Sequence, residues 1–236
     1  MDTQPRDIQL AISFTTHRDG QLVERGRERA AYDFNDDGTI TYRATSTSFT
    51  PKVTRDVVYT LDGQFHPLDA YVRLQVEGQH EGSGWFRFEE GRVTAETWNA
   101  RDGRATESMS LAGRPRAFLA HPVTSDALVC AAFDHTLPAS RQRPPGIFDS
   151  SRDPYGRTGP ALASSQVDIE FVGETRLETP AGEFAADHYR LYLDPADREP
   201  LEEIWCLAGT FVFLKAYAAG AFQTHYELTD WRQAGR

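Results

Sequence analysis

Apolar and polar residues alternate along much of the chain with a period of two. The clearest run is Ile8, Leu10, Ile12 and Phe14, whose members are separated by polar or small residues. This period is typical of a strand with one buried face, whereas the 3.6-residue period of a helix is scarce throughout. The pattern therefore predicts an all-β protein.

Turn residues separate the alternating runs. Asp-Gly pairs at 37–38, 62–63 and 102–103 are strong hairpin signals when β-rich segments flank them. We expect one antiparallel meander of about twelve strands that curls into a barrel or half-barrel, as a single domain over residues 1–236. The predicted strands lie near 8–14, 27–34, 39–48, 52–61, 66–78, 84–89, 92–98, 104–111, 166–178, 184–193, 202–208, 210–218 and 221–231.

Residues 113–165 interrupt this pattern. Seven of the 13 prolines fall in the segment, and proline removes a donor from a strand ladder. Ser125 to Phe133 is predicted to form the only helix, capped by Thr124 or Ser125. The rest is irregular, and long irregular loops in compact domains are either binding loops or disordered connections. The segment is therefore interpreted as an insertion that serves either as a lid or as a connector.

The charge of the chain excludes some partners. Thirty-five acidic residues against 25 basic ones give a net charge of −10. Proteins that hold nucleic acid or anionic membranes need a basic patch, so neither partner is expected. Met1 to Leu10 contains no apolar run of signal-peptide length, and Cys130 and Cys206 lie in apolar surroundings that suit free thiols. These features predict a cytoplasmic protein.

Common cofactor and catalytic motifs are absent from the sequence. Neither of the two glycine-rich nucleotide-binding motifs, Gly-x-Gly-x-x-Gly and Gly-x-x-x-x-Gly-Lys-Ser/Thr, is present. The motifs His-Glu-x-x-His, Cys-x-x-Cys and Gly-x-Ser-x-Gly are absent as well. We therefore expect no cofactor. No metal site is expected either, because the histidines and carboxylates show no close ligand pair. Any catalysis would depend on side chains that act as acids and bases.

His188 is the first candidate for such chemistry, because histidine titrates near neutral pH. It lies in an alternating strand, where Arg190 and Tyr192 share its face. If that face lines an interior, His188 would be a proton-transfer group, and Arg190 and Tyr192 would hold a ligand. The alternative is a solvated outer face, which is commoner for arginine.

Lys215 is the second candidate, because its strand is apolar on both faces. An inward lysine would be desolvated, which lowers the pKa of its amine and favours a catalytic role; an outward one would extend over aromatic residues. We predict inward placement, with His225 of the next strand meeting Lys215 across the hairpin. Trp205 and Tyr217 complete the predicted ligand-binding residues.

His121 is the third candidate. It precedes Pro122, and Asp126 follows five residues later, so that a nearby carboxylate could orient the imidazole as a base. Tyr155, in a turn of the irregular segment, is predicted to cover this site as an acid. The alternative is a structural histidine bonded to backbone.

The C-terminal part resembles a known family. Its features are the turn Thr179-Pro180-Ala181-Gly182-Glu183-Phe184, then Glu203-Ile204-Trp205, and the closing Tyr226-Glu227-Leu228. Over roughly residues 166–231 this pattern is similar to uncharacterised bacterial β-proteins that resemble the half-barrels of lipoprotein-localisation factors. The resemblance implies a concave β surface able to hold an apolar molecule, and it implies no catalytic residue.

Two functions from different classes follow. The first is binding of a hydrophobic or aromatic small molecule inside the barrel, with the irregular segment closing its mouth. The alternative is a cofactor-independent lyase, isomerase or hydratase that acts on an aromatic or carboxylated molecule through His188, His121, Lys215 and Tyr155. A third interpretation is a homodimer formed through exposed strand edges.

Overall fold

The structure, a computed structural model, describes residues 7–153, 156, 158–219 and 223–234. The N-terminal half forms eight consecutive strands, as its alternating pattern predicts. They are β1 (Asp7–Arg18), β2 (Gln21–Phe34), β3 (Ile40–Phe49), β4 (Lys52–Leu61), β5 (Pro67–Val76), β6 (Gln79–Glu89), β7 (Arg92–Asn99) and β8 (Gly103–Ser110).

The described residues of the irregular segment form an insert with short elements of its own. These are β9 (Ala117–Leu119), helix α1 (Val123–Val129), a 3-10 turn (Cys130–Ala132), β10 (Arg141–Gln142), β11 (Ile147–Asp149) and β12 (Ala163–Ser165). The C-terminal half then adds β13 (Asp168–Thr179), β14 (Gly182–Tyr192), β15 (Glu202–Leu207), β16 (Val212–Ala218) and β17 (Thr224–Ala234).

Within these described ranges, fourteen strands form one sheet in the order β10-β13-β14-β15-β16-β17-β1-β2-β3-β4-β5-β6-β7-β8. The two halves join because the last strand pairs antiparallel with the first, with Leu10 opposite Trp231. The sheet is not closed and ends at β10 and β8. The predicted all-β class, the antiparallel meander and the single short helix are confirmed, and the architecture is barrel-like but open.

Alternation along each strand gives the sheet an inner and an outer face. We call inner the face that packs against the insert. Most of its residues are apolar and almost fully buried, for example Ile8, Tyr32, Tyr42, Tyr59 and Phe86. Phe118 of β9 contacts Tyr59 on β4 and Phe86 on β6, with ring centroids 5.8 and 4.8 Å apart. The sheet thus bends around the insert, which supplies the other half of the core.

Helix α1 lies deep in this core. Six of its seven residues are buried, and it packs against β15 and β16. The predicted cap by Thr124 or Ser125 is wrong, because the helix begins at Val123 after Pro122 and has no side-chain cap of its own. Glu28 on β2 takes that role instead, since its carboxylate accepts hydrogen bonds from Val123 N and Thr124 N at 3.1 and 3.0 Å.

No helix in the described part of the chain is both long and apolar enough to cross a membrane.

Candidate functional site

Most of the predicted site residues meet on one surface, the outer face of β14 to β17. Strand pairing places His188 beside Trp205, Trp205 beside Lys215, and Lys215 beside Glu227. A second row runs through Arg190, Glu203, Tyr217 and His225. Sequence reasoning thus named residues that are neighbours. The face is opposite to Tyr189 and Leu191, which are buried in the core.

His188 is held between a ring and a carboxylate. Its imidazole stacks on the Trp205 indole with centroids 4.3 Å apart and planes 11° from parallel. Nε2 lies 2.9 Å from Glu203 Oε2, but the two atoms are not aligned for a hydrogen bond. Burial lowers the pKa of His188, and the negative charge of Glu203 acts against this shift. A histidine of lowered pKa is neutral at pH 7.

Arg190 and Tyr192 are bound to neighbouring acids. Arg190 Nε lies 3.2 Å from Glu203 Oε2, and the Tyr192 hydroxyl donates to Glu170 Oε2 at 2.5 Å. The Arg141 guanidinium covers the Tyr192 ring at 3.7 Å from its centroid. The polar groups of these side chains thus have partners within the protein. Arg190, which was predicted to hold a ligand anion, already contacts the Glu203 carboxylate.

Two predictions about Lys215 are wrong. Its side chain lies on the outer face, where Nζ is 3.1 Å from Glu227 Oε1, rather than in the core. The register of β16 and β17 also places Glu227 opposite Lys215, while His225 lies opposite Tyr217 with ring centroids 4.8 Å apart. The bulge between Trp205 and Cys206 directs Phe213 and Leu214 into the core and leaves Lys215 outside.

His121 lies on the other side of the sheet, within the insert. The carboxylate beside its imidazole is that of Asp149 on β11, and not that of Asp126 as predicted; Nε2 lies 2.8 Å from Oδ1, but the two atoms are not aligned for a hydrogen bond. The backbone of His121 is left-handed, with φ of 72°, a conformation that is costly outside glycine. Arg55, buried on β4, donates to Gly156 O above this pair, and burial lowers its pKa to about 10. Tyr155 falls outside the described residues.

Two buried carboxyl groups that sequence reasoning missed lie beneath α1, and a third, half-buried one belongs to the helix itself. Glu28, Asp126 and Glu202 come from β2, α1 and β15. Burial raises the pKa of all three, to about 8 for Glu202, and the charge of Glu202 raises that of Asp126 further. The inner face is therefore not uniformly apolar. Among the described residues, no group of three side chains has the arrangement of a metal site.

A ligand-sized groove lies on the outer face of β17, β1, β2, β3, β4 and β5. We call it the outer groove; its volume is about 970 Å³, within the usual range for small-molecule sites. Small side chains at Ala11 and Ala31 leave this depression in the sheet. Its charged lining consists of Arg29, Arg43, Arg73, Arg232, Asp56 and Asp230.

The outer groove has an uneven charge balance. Arg43 is paired with Asp33, and Arg232 Nη2 lies 3.3 Å from Asp230 Oδ2. Arg29 and Arg73, by contrast, have no ion pair or hydrogen bond to any described side chain. They occupy one cross-strand row with Thr45 and Asp56 between them, about 14 Å apart at ordinary strand spacing. Two exposed guanidinium groups are thus free to bind an anion.

An apolar track leaves one end of the outer groove. Val58, Tyr71 and Trp85 lie side by side on β4, β5 and β6, and their side chains are 41%, 41% and 51% exposed. Tyr71 also lines an adjoining pocket of about 280 Å³, together with Trp98 and Arg104. The track was not predicted, because it requires the register of three strands, although each residue is apolar at an outward position.

Comparison with known proteins defines the fold and no more. No family model matches the chain, and no curated protein matches it. A β-barrel-like protein of the domain of unknown function DUF1849 from Brucella abortus is similar in structure, with a TM-score of 0.58, 11% identity, and coverage of 98% of this chain and 99% of that one. At this identity the likeness concerns the fold alone.

Two further solved structures resemble the chain more distantly. A Bacteroides fragilis protein with a YmcC-like fold has a TM-score of 0.37 and 10% identity, covering 97% of this chain and 96% of that one. A candidate lipoprotein from Parabacteroides distasonis has a TM-score of 0.29 and 9% identity, covering 97% of both chains. The Brucella likeness supports the expected resemblance to bacterial β-proteins of unknown function, but not to lipoprotein-localisation factors in particular.

Proposed function

We propose that this protein binds a small organic anion with an apolar body, and that the outer groove is its binding site. The observation that carries the proposal is the pair Arg29 and Arg73. Both guanidinium groups line a ligand-sized groove, and neither has an acidic partner among the described residues. A carboxylate or phosphate would supply the missing charge and accept bidentate hydrogen bonds.

The apolar track beside the outer groove indicates that the ligand has an apolar body. Val58, Tyr71 and Trp85 form the neighbouring cross-strand row, which runs from Arg43 towards the edge of the sheet. Large exposed apolar side chains in a contiguous line are typical of interaction sites. An aliphatic or aromatic body lying on this track would cover them while its charged group binds a guanidinium of the groove.

The inner face is a less favourable site for such a ligand. Its apolar surface is covered by the insert, including Phe118, Phe133 and Leu128, all of which are buried. Binding there would require the insert to move away from the sheet. The ligand-binding role inferred from sequence is therefore retained in our proposal, but on the opposite face.

Acid–base catalysis has less support. The predicted catalytic residues are divided between the two faces, with His121 inside and His188 and Lys215 outside. Each lies within 3.1 Å of a carboxylate oxygen of its own. Such pairs are typical of structural networks as well as of active sites.

Fluorescence titration with dansyl-undecanoic acid, an anionic probe with an aliphatic body, tests the proposal. We expect saturable binding that laurate displaces and that neutral lauramide does not. Arg29→Ala and Arg73→Ala should each weaken binding about tenfold, the cost of one charge-assisted contact. Arg101→Ala is the matched control, because Arg101 lies in the exposed turn between β7 and β8, outside the outer groove.

Two outcomes would overturn the proposal. One is the absence of saturable binding by the wild-type chain. The other is binding that both arginine variants leave unchanged, which would place the probe elsewhere on the molecule.

A further inference from the structure

The smaller pocket that adjoins the apolar track lies on the outer face of β5 to β8. Its volume is about 280 Å³, just below the range that is typical of sites for drug-sized ligands. The indoles of Trp85 and Trp98 line it, together with Ser83, Glu96 and Arg104. We call it the indole pocket. A depression of this size suits one six-membered ring.

Strand pairing brings the side chains of the indole pocket together. Ser83 lies opposite Trp98, and Trp98 lies opposite Arg104, so that these residues form one row across β6, β7 and β8. Trp85 lies opposite Glu96 in the neighbouring row. Directly opposed residues have Cβ atoms about 5 Å apart, and large side chains also reach their diagonal neighbours. Each of the two rows therefore contributes one indole to the same pocket.

Both indoles are supported by side chains that do not line the pocket. The His80 imidazole stacks on Trp98, with ring centroids 5.0 Å apart and planes 9° from parallel. The Arg87 guanidinium lies 5.2 Å from the centroid of the Trp85 ring. Trp85 nevertheless remains 51% exposed. These contacts hold the two rings in place and leave the pocket between them open to a ligand.

The polar groups of the indole pocket are not used by the protein itself. Within the described ranges, Glu96 and Arg104 make no hydrogen bond or ion pair, and neither do the hydroxyls of Ser83 and Thr106. Glu96 offers an acceptor, Arg104 offers donors, and each hydroxyl offers both. One negative and one positive charge balance, whereas the outer groove has an excess of arginines. The pocket thus suits a neutral ligand with several hydrogen-bonding groups.

We propose that the indole pocket binds a hexopyranose unit of the β-gluco configuration. Such a ring is neutral, its hydroxyls both donate and accept, and its axial C–H bonds give it apolar faces that pack on indoles. An aromatic hydrocarbon would also pack on the indoles, but it would leave Glu96 and Arg104 without partners. A carboxylate would pair with Arg104 and be repelled by Glu96. The proposal is independent of the anion that we assign to the outer groove.

NMR spectra of the full chain, titrated with methyl β-D-glucopyranoside, test the indole pocket. The chain has four tryptophans, so four indole N–H signals report on binding. We expect the signals of Trp85 and Trp98 to shift saturably, with a Kd on the order of 1 mM. The signals of Trp205 and Trp231, on β15 and β17, should stay in place. Sorbitol, an open-chain polyol without a ring face, should shift none of the four.

Two variants test the assigned residues. Glu96→Ala and Trp98→Ala should each weaken binding about tenfold, as reported by the Trp85 signal. Glu96 is exposed, so its replacement leaves the fold intact. Glu89→Ala is the matched control, because Glu89 is an exposed carboxylate of β6 that lies outside the pocket. Its Kd should equal that of the wild-type chain.

Cellotetraose, which carries the same sugar unit in a chain, distinguishes two sources of the ligand. Tighter binding than the glucoside would assign a β-glucan to the pocket, and equal affinity would assign a single sugar.

Three outcomes would overturn the proposal. One is the absence of a saturable shift at Trp85 and Trp98. Another is an equal response to sorbitol, which would show that the ring face is not recognised. The third is an unchanged Kd in both the Glu96 and the Trp98 variant. Because the probes are neutral, these results do not depend on whether the outer groove binds an anion.

Discussion

Glu28 and Thr124 are 96 residues apart in sequence, yet the Glu28 carboxylate caps the first turn of α1 by accepting a hydrogen bond from Thr124 N at 3.0 Å. A strand of the sheet thereby anchors the insert. Because the first N–H groups of a helix have no partner within it, a buried helix start needs an external acceptor. The contact joins the N-terminal meander to the segment that completes its core.

Replacement of Glu28 by alanine should therefore destabilise the whole domain. The substitution leaves Val123 N and Thr124 N buried without an acceptor, and we expect a loss of about 3 kcal/mol in the free energy of unfolding. Urea denaturation measures it. Glu24→Ala, an exposed position on the same strand, should change stability by less than about 0.5 kcal/mol. Equal effects of the two variants would show that the helix does not depend on this cap.

Glu202 should make stability depend on pH. Burial raises its pKa to about 8, so the folded chain keeps a proton that the unfolded chain releases near pH 4.5. Its contribution is fully present below about pH 4.5 and is lost as the pH rises towards 8. Glu202→Gln should remove this decline and raise stability at about pH 8 by on the order of 3 kcal/mol. Parallel pH profiles of variant and wild type, measured by urea denaturation, would contradict the assignment.

Gly156 should resist substitution because it packs against His121. A Cβ at this position would lie 2.5 Å from the imidazole, and the backbone φ is +61°. Gly156→Ala should cost about 3 kcal/mol, from overpacking and from backbone strain together. Gly78→Ala separates the two causes, since Gly78 has φ of +78° and open space around it. Gly78→Ala should cost only about 1 kcal/mol. Comparable Tm losses in the two variants would contradict the overpacking, because they would show that the His121 side chain moves to make room for the added methyl group.

The fold was largely predictable because each strand carries its own signal. Ile8, Leu10, Ile12 and Phe14 alternate with polar residues, and their buried face packs as that pattern indicates. The faces of the C-terminal strands were harder to predict. Both faces of β14 are amphipathic, and only the pairing with β15 shows that Tyr189 is in the core while His188 lies outside.

The candidate site was less predictable, because it depends on register between distant strands. Ala11, Arg29 and Arg73 belong to β1, β2 and β5, and no local spacing relates them. Lys215 was misplaced because a bulge in the pairing of β15 with β16 changes which residues face the core.

The central claim is that a ligand with a charged head binds the outer groove and not the inner face. Paramagnetic relaxation in amide NMR spectra, with a spin-labelled stearic acid as the ligand, tests it most directly. We predict that the amide signals of Ala11, Ala31 and Thr45 broaden, while those of Leu128 and Val129 in α1 stay sharp. Broadening centred on α1, with the groove amides unaffected, would contradict the account and show that the ligand binds the inner face.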